Sequence, residues 1–204
     1  MHKLLLVILI ALVISLAQED IYLVSGGVTN SSVSFNEKDI EDFIDLDDYL
    51  GYTIGIEAKK GNLIAGIRYL QRGSEYHIDD FIWAGYYYYK SEGYFLFNYA
   101  SFYGYYCYSI SKQISVLGGF SLGFPLESEA KIKSSGGYSD TETINADELN
   151  RDYGIELGGE FAINNTISAR VMYYWGMEDV FTDLISDENV KNNGFTLNVI
   201  YQFK

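Results

Sequence analysis

From residue 18 onward the chain alternates apolar and polar positions with a period of two rather than 3.6, which predicts strands. In TISARVMYYWG (166–176), Ile167, Ala169, Val171, Tyr173 and Trp175 share one face, and Thr166, Ser168, Arg170, Met172 and Tyr174 the other. YGIELGGEFA (153–162) places Tyr153, Ile155, Leu157 and Phe161 opposite Gly154, Glu156, Gly158 and Glu160. YTIGIEA (52–58), LIAGIRY (63–69) and ISVLGGFSLGF (114–124) alternate in the same way, as does the tail FTLNVIYQFK (195–204). Two further strands are expected at about 21–34 and 94–110. The second is aromatic on both faces, so alternation leaves its inward set open. Eight strands result.

The connections sort these strands into an architecture. Lys60-Gly61, Ser111-Lys112-Gln113 and Asn164-Asn165 are short and rich in turn-forming residues. The stretches 35–50, 74–93, 127–152 and 177–192 are long. Strict alternation of short and long connections is the asymmetry of an up-and-down transmembrane barrel, with short periplasmic turns and longer external loops. Charge divides the same way, since 23 of the 28 acidic residues fall in the four long stretches. On the strands, Glu57, Glu156 and Glu160 all lie opposite the apolar face. A soluble eight-stranded barrel would reverse this, packing its apolar face inside, but eight strands leave little room for so many large rings. The fold class expected is therefore all-β: an eight-stranded antiparallel up-and-down transmembrane β-barrel.

Composition agrees, with 20 Tyr, 12 Phe and 20 Gly against one Pro. The N-terminus adds an export signal. MHKLLLVILIALVISLA (1–17) pairs Lys3 with an apolar run from Leu4 to Leu16 and ends on small residues. That run is short against the roughly 20 residues a membrane-spanning helix needs, so a cleavable signal peptide is expected rather than an anchor. The expected organisation is a signal peptide at 1–17 and one barrel domain at 18–204. The net charge of −14 argues against nucleic acid and against an anionic membrane surface. Cys107 is the sole cysteine, so no intramolecular disulfide staples the chain.

Candidate chemistry lies mainly inside. Glu57, Arg68, Glu156, Glu160 and Arg170 are predicted to meet in the lumen, where buried charges must be paired. A structural ion-pair plug is the expectation; a proton or ion path and a catalytic carboxylate pair are the alternatives. Asp45, Asp47 and Asp48 approach the acid density of a calcium loop without EF-hand order. His77 is the only histidine beyond the signal segment, which makes a zinc site improbable. Gly119-Phe120-Ser121-Leu122-Gly123 matches GxSxG, but a nucleophile elbow needs a strand-to-helix turn that this stretch does not predict. The aromatics Trp83, Tyr86–Tyr89, Tyr103–Tyr108 and Trp175 are expected at the membrane interface, with a carbohydrate-stacking surface as the alternative. No enzyme activity, cofactor or metal is expected.

GIRYLQRGSEY (66–76) carries an aromatic-x-Gln-basic-Gly stretch, Tyr69-Leu70-Gln71-Arg72-Gly73. With RDYGIELGGEF (151–161), NNTISARVMYYWGMEDV (164–180) and NGFTLNVIYQF (193–203), it resembles the PorT-like outer-membrane β-barrel family, often called the porin family. The resemblance spans most of the chain after the signal and implies an outer-membrane location in a Gram-negative type bacterium. It implies little about activity. Tyr201 and Phe203 resemble the aromatic C-terminal signal that barrel-assembly machinery recognises. The partners expected are outer-membrane lipid and that machinery, with a surface partner unknown. The role expected is a small integral outer-membrane protein with a filled lumen and structural or surface-interaction duties. A narrow channel for ions or small solutes, or a loop-based ligand-binding or adhesion protein, is the alternative.

Overall fold

The computed structural model describes residues 21–35, 45–83, 87–134, 139–181 and 190–203. The signal segment 1–17, much of the first acidic loop and Lys204 lie outside these residues.

Ten strands form: β1 (Ile21–Phe35), β2 (Asp45–Lys60), β3 (Leu63–Trp83), β4 (Tyr87–Ser109), β5 (Ile114–Pro125), β6 (Ser128–Ser134), β7 (Ser139–Ile144), β8 (Asp152–Ala162), β9 (Ile167–Gly176) and β10 (Val190–Phe203). Eight of them close a barrel in the order β1-β2-β3-β4-β5-β8-β9-β10, every pairing antiparallel, with β10 returning to β1. The closing seam runs from Tyr22↔Phe203 to Phe35↔Val190 without a register shift. Closure leaves the barrel wall without unpaired edges, as a lipid environment demands.

The short connections are turns stabilised locally. Gly61 takes φ 59°, the left-handed region that glycine enters without steric cost. At the β8–β9 turn, Asn164 Oδ1 accepts hydrogen bonds from the Thr166 and Ile167 amides, each 2.8 Å.

At the long-loop end the chain is more ordered than the alternation alone predicts. The stretch 74–93, expected as a loop, instead continues β3 and β4 as one hairpin paired up to Trp83↔Tyr87. The third long stretch contains a hairpin of its own, in which β6 pairs with β4 over Ser91–Leu96 and β7 pairs with β6. The barrel therefore carries a sheet of β2, β3, β4, β6 and β7 that rises past its rim.

The wall is apolar outside. Val24, Val28, Tyr52, Ile54, Ile56, Tyr106, Val116, Phe120, Ile155, Leu157, Val171, Leu197 and Val199 are all exposed. Aromatic residues mark the margins of this band: Tyr22 stacks on Phe203 at the turn end, and Trp175, Tyr173 and Phe195 cluster toward the loop end. The inward set of β4, open from sequence, is odd-numbered: Tyr99, Ser101, Tyr103, Tyr105 and Cys107 are buried, while Tyr106 and Tyr108 face out. Trp83 and Tyr86–Tyr89 lie outside the residues whose side chains are described.

Candidate functional site

Period-two geometry sends every second residue of each strand into a lumen that eight strands make just wide enough for side chains. Small residues create the space for large ones. A Cβ on Gly66 would sit 2.6 Å from the Tyr103 ring, and one on Gly154 would sit 2.6 Å from Tyr174, so each tyrosine packs over a glycine of the neighbouring strand.

The interior charges form two linked sets stacked along the barrel axis. Toward the turn end, Arg170 of β9 reaches across the lumen to Glu57 of β2 with Nη1 2.9 and 2.8 Å from the two carboxylate oxygens. On its other side Arg170 Nε donates to Glu160 Oε2 at 2.8 Å, from the directly opposed position on β8. Nearer the loop end, Arg68 of β3 pairs with Glu156 of β8, and the Tyr105 hydroxyl donates to the same carboxylate. One further turn of the pleat brings Arg72 against Asp152, with Arg72 Nη2 3.9 Å from Glu156. The Arg72 guanidinium also lies over the Tyr174 ring, 3.4 Å from its centroid, and the Tyr174 hydroxyl donates to Asp152 at 2.5 Å. Arg170 and Glu156 are 2% and 1% exposed, so these charges are held by one another rather than by water.

All five residues expected in the lumen are there, but they do not form one cluster: Glu57, Arg170 and Glu160 make one group, Arg68 and Glu156 belong to the other. Arg72 and Asp152 complete the second group and were missed. By sequence Asp152 ends the long acidic stretch 127–152, yet it is the first residue of β8 and 5% exposed inside the barrel. The signal was present in the parity: 152, 154, 156 and 160 continue one face, as do 68, 70 and 72 on β3.

Above the charges, the loop end of the interior is filled by apolar side chains. Val33, Phe97, Tyr99 and Val190 continue the inward faces of β1, β4 and β10, and Ala130, Ile144, Leu149 and Val180 from the intervening segments pack onto them. Phe181 sets its ring edge-on to Phe97, centroids 5.7 Å apart, and bridges to Leu149. The lumen is thus plugged by ion pairs and capped by a small apolar core. Replacing Tyr174 by phenylalanine keeps the ring beneath Arg72 but removes a donor from Asp152. An expected loss of about 1–3 kcal/mol should appear as a lower urea midpoint of the refolded barrel.

The other candidates fall elsewhere. Ser121 of the GxSxG string sits mid-strand on β5, which runs straight on to Pro125, so no nucleophile elbow forms. A Cβ on Gly119 would lie 1.9 Å from the Gly104 carbonyl oxygen, and this close backbone approach explains that glycine. Asp45, Asp47 and Asp48 lie on β2 rather than in a loop; Asp48 accepts from Asn30 Nδ2 at 2.8 Å, and Asp47 lies 3.5 Å from His77 Nδ1. Among the described residues no three acids, histidines or cysteines converge as metal ligands. Tyr201 and Phe203 point outward from β10, their rings 6.4 Å apart.

No family model and no curated protein matches the chain. Solved structures do. Ail, the attachment invasion locus protein of Yersinia pestis, in complex with the heparin analogue sucrose octasulfate, aligns at 14% identity and a TM-score of 0.51, covering 91% of this chain and all of that one. Neisserial surface protein A aligns with the same identity, TM-score and coverage. At that identity the likeness is one of fold: this chain is built as an eight-stranded antiparallel up-and-down β-barrel of the outer-membrane type.

Proposed function

We propose that this protein is an integral outer-membrane barrel whose lumen is a structural plug and whose task lies at its two ends rather than through its middle. The observation that carries the reading is the inverted polarity of the wall: apolar side chains ring the outside while seven ionisable groups pair inside. A surface facing water gains nothing from that arrangement, whereas a surface facing lipid requires it. In this reading the short turns face the periplasm and the acidic loops face outward. Outer-membrane lipid is then the main partner, and Tyr201 and Phe203 are read by the assembly machinery during insertion. The PorT-like pattern of 66–76 and of the C-terminal half supports the same location.

Conductance across planar bilayers separates the plug from a channel. Purified, refolded protein is expected to give no stable current above baseline, because ion pairs and the apolar cap both cross the path. Steady single-channel steps would establish a narrow pore instead.

A surface-interaction role is favoured by the sheet that β3 and β4 carry beyond the apolar band, braced by β2, β6 and β7. Asp45, Asp47, Glu75 and Glu129 lie on strands of that sheet and Glu142 on its edge strand. Such a surface repels sulfated polyanions like the ligand in the Ail complex, and suits neutral or basic partners.

A further inference from the structure

The turn end of the barrel interior opens into a cavity of about 240 Å³, bounded by Lys59, Ser109, the Ser111–Gln113 turn, Ser115, Glu160 and the Asn164–Ile167 turn. Three features set it apart from a plain barrel mouth. Its floor is at Glu160, whose partner Arg170 pairs in turn with Glu57, and the apolar cap closes the far side of the lumen. It is cationic within a strongly acidic protein: among the described residues Lys59 and Lys112 line it without a carboxylate partner, and Glu160, already held by Arg170, is the one acid in its wall. Beside the apolar Leu23, Ala162, Ile167 and Ile200, its lining carries small donors and acceptors: the hydroxyls of Thr166 and Ser168, the Ser109 and Ser115 hydroxyls 3.3 Å from one another, and the amides of Gln113 and Gln202.

Two ammonium groups ask for an anion. Hydroxyls and carboxamides crowded around them ask for a ligand that both donates and accepts hydrogen bonds. Glu160 Oε1 makes no hydrogen bond to a side chain, because both Arg170 contacts go to Oε2, and it offers an acceptor for a ligand hydroxyl. The volume lies below the roughly 300–1,000 Å³ of pockets that hold drug-sized molecules, which limits the occupant to about one sugar ring. We propose that this vestibule is a binding site for a small hydroxylated anion, a sugar acid or sugar phosphate of monosaccharide size, entered from the turn end. The anionic group sits between Lys59 and Lys112 and the hydroxyls meet the serine, threonine and amide wall. The floor prevents passage, so the site holds its ligand and does not conduct it.

The test is an amide-resonance titration of the refolded, micelle-bound full barrel at fixed ionic strength, with glucuronate, glucose 6-phosphate and neutral glucose as separate probes. Both anions, or one of them, are expected to shift the Ser111–Ile114 and Asn164–Ile167 amides saturably, with glucose at least tenfold weaker; which anion is tighter assigns carboxylate or phosphate. Lys59→Gln and Lys112→Gln should each weaken binding about three- to fivefold without changing the folded spectrum. Equal binding of glucose, no saturable shift with either anion, or affinities untouched by both lysine variants would overturn the site. None of these outcomes depends on conductance or on which compartment the turns face, so the proposed barrel function stands or falls separately.

Discussion

Arg170→Ala is expected to destabilise the barrel by about 3–5 kcal/mol, because it strips the counter-charge from Glu57 and Glu160 at once and leaves Glu57, 1% exposed, as an unpaired buried charge. The loss should appear as a lower urea midpoint in refolded protein and as a weakened heat-modifiable band on a gel. Pairing the variant with Glu57→Gln removes one of the stranded charges, so the double variant should recover part of the loss, with a coupling of about 1–3 kcal/mol. An unchanged midpoint in Arg170→Ala would mean that the interior pairs do not support the fold.

The second large effect concerns the outside. Val199 is 57% exposed at the centre of the β10 band, between Phe195 and Phe203. On a water-facing surface Val199→Arg would be nearly neutral or favourable. In a bilayer it should cost about 2–4 kcal/mol, and Phe195→Arg, nearer the margin, about 0–1 kcal/mol from charge placement. Reversible unfolding from lipid vesicles measures both. Equal costs at the two positions, or none at Val199, would remove the bilayer as the solvent of this face.

Much of the wall was legible because a bilayer constrains both faces of a strand. The lipid side must be apolar and the lumen side must fit, so alternation in 153–162 and 166–176 is strict and places Glu156, Glu160 and Arg170 without a structure. Outside the membrane that constraint lapses. β7, SDTETI, is exposed along nearly its whole length and shows no alternation to read. The upper half of β3 was hidden for a related reason: Tyr76 is buried with its ring against Phe95 while Glu75 faces water, and the acids made the stretch resemble a solvated loop. The cap itself could not be foreseen, since Val33, Ile144, Leu149, Val180 and Val190 are scattered over the chain and only closure brings them together. Asp152 escapes alternation because it stands one residue before the stretch 153–162 in which the pattern is readable.

The β1–β10 seam has a kinetic meaning. It joins residues between 155 and 181 positions apart, whereas hairpins such as β2–β3 and β8–β9 close locally. Contacts of such long sequence separation are the slowest to form. The other strands can zip neighbour to neighbour while Ile21–Phe35 waits with one edge unsatisfied for the last segment to arrive. Until then the nascent sheet presents two bare edges and a broad apolar face, the combination most prone to aggregation in water. Completion of the barrel is therefore set by the encounter of its two ends, and a carrier that shields them beforehand would govern its yield more than any interior contact.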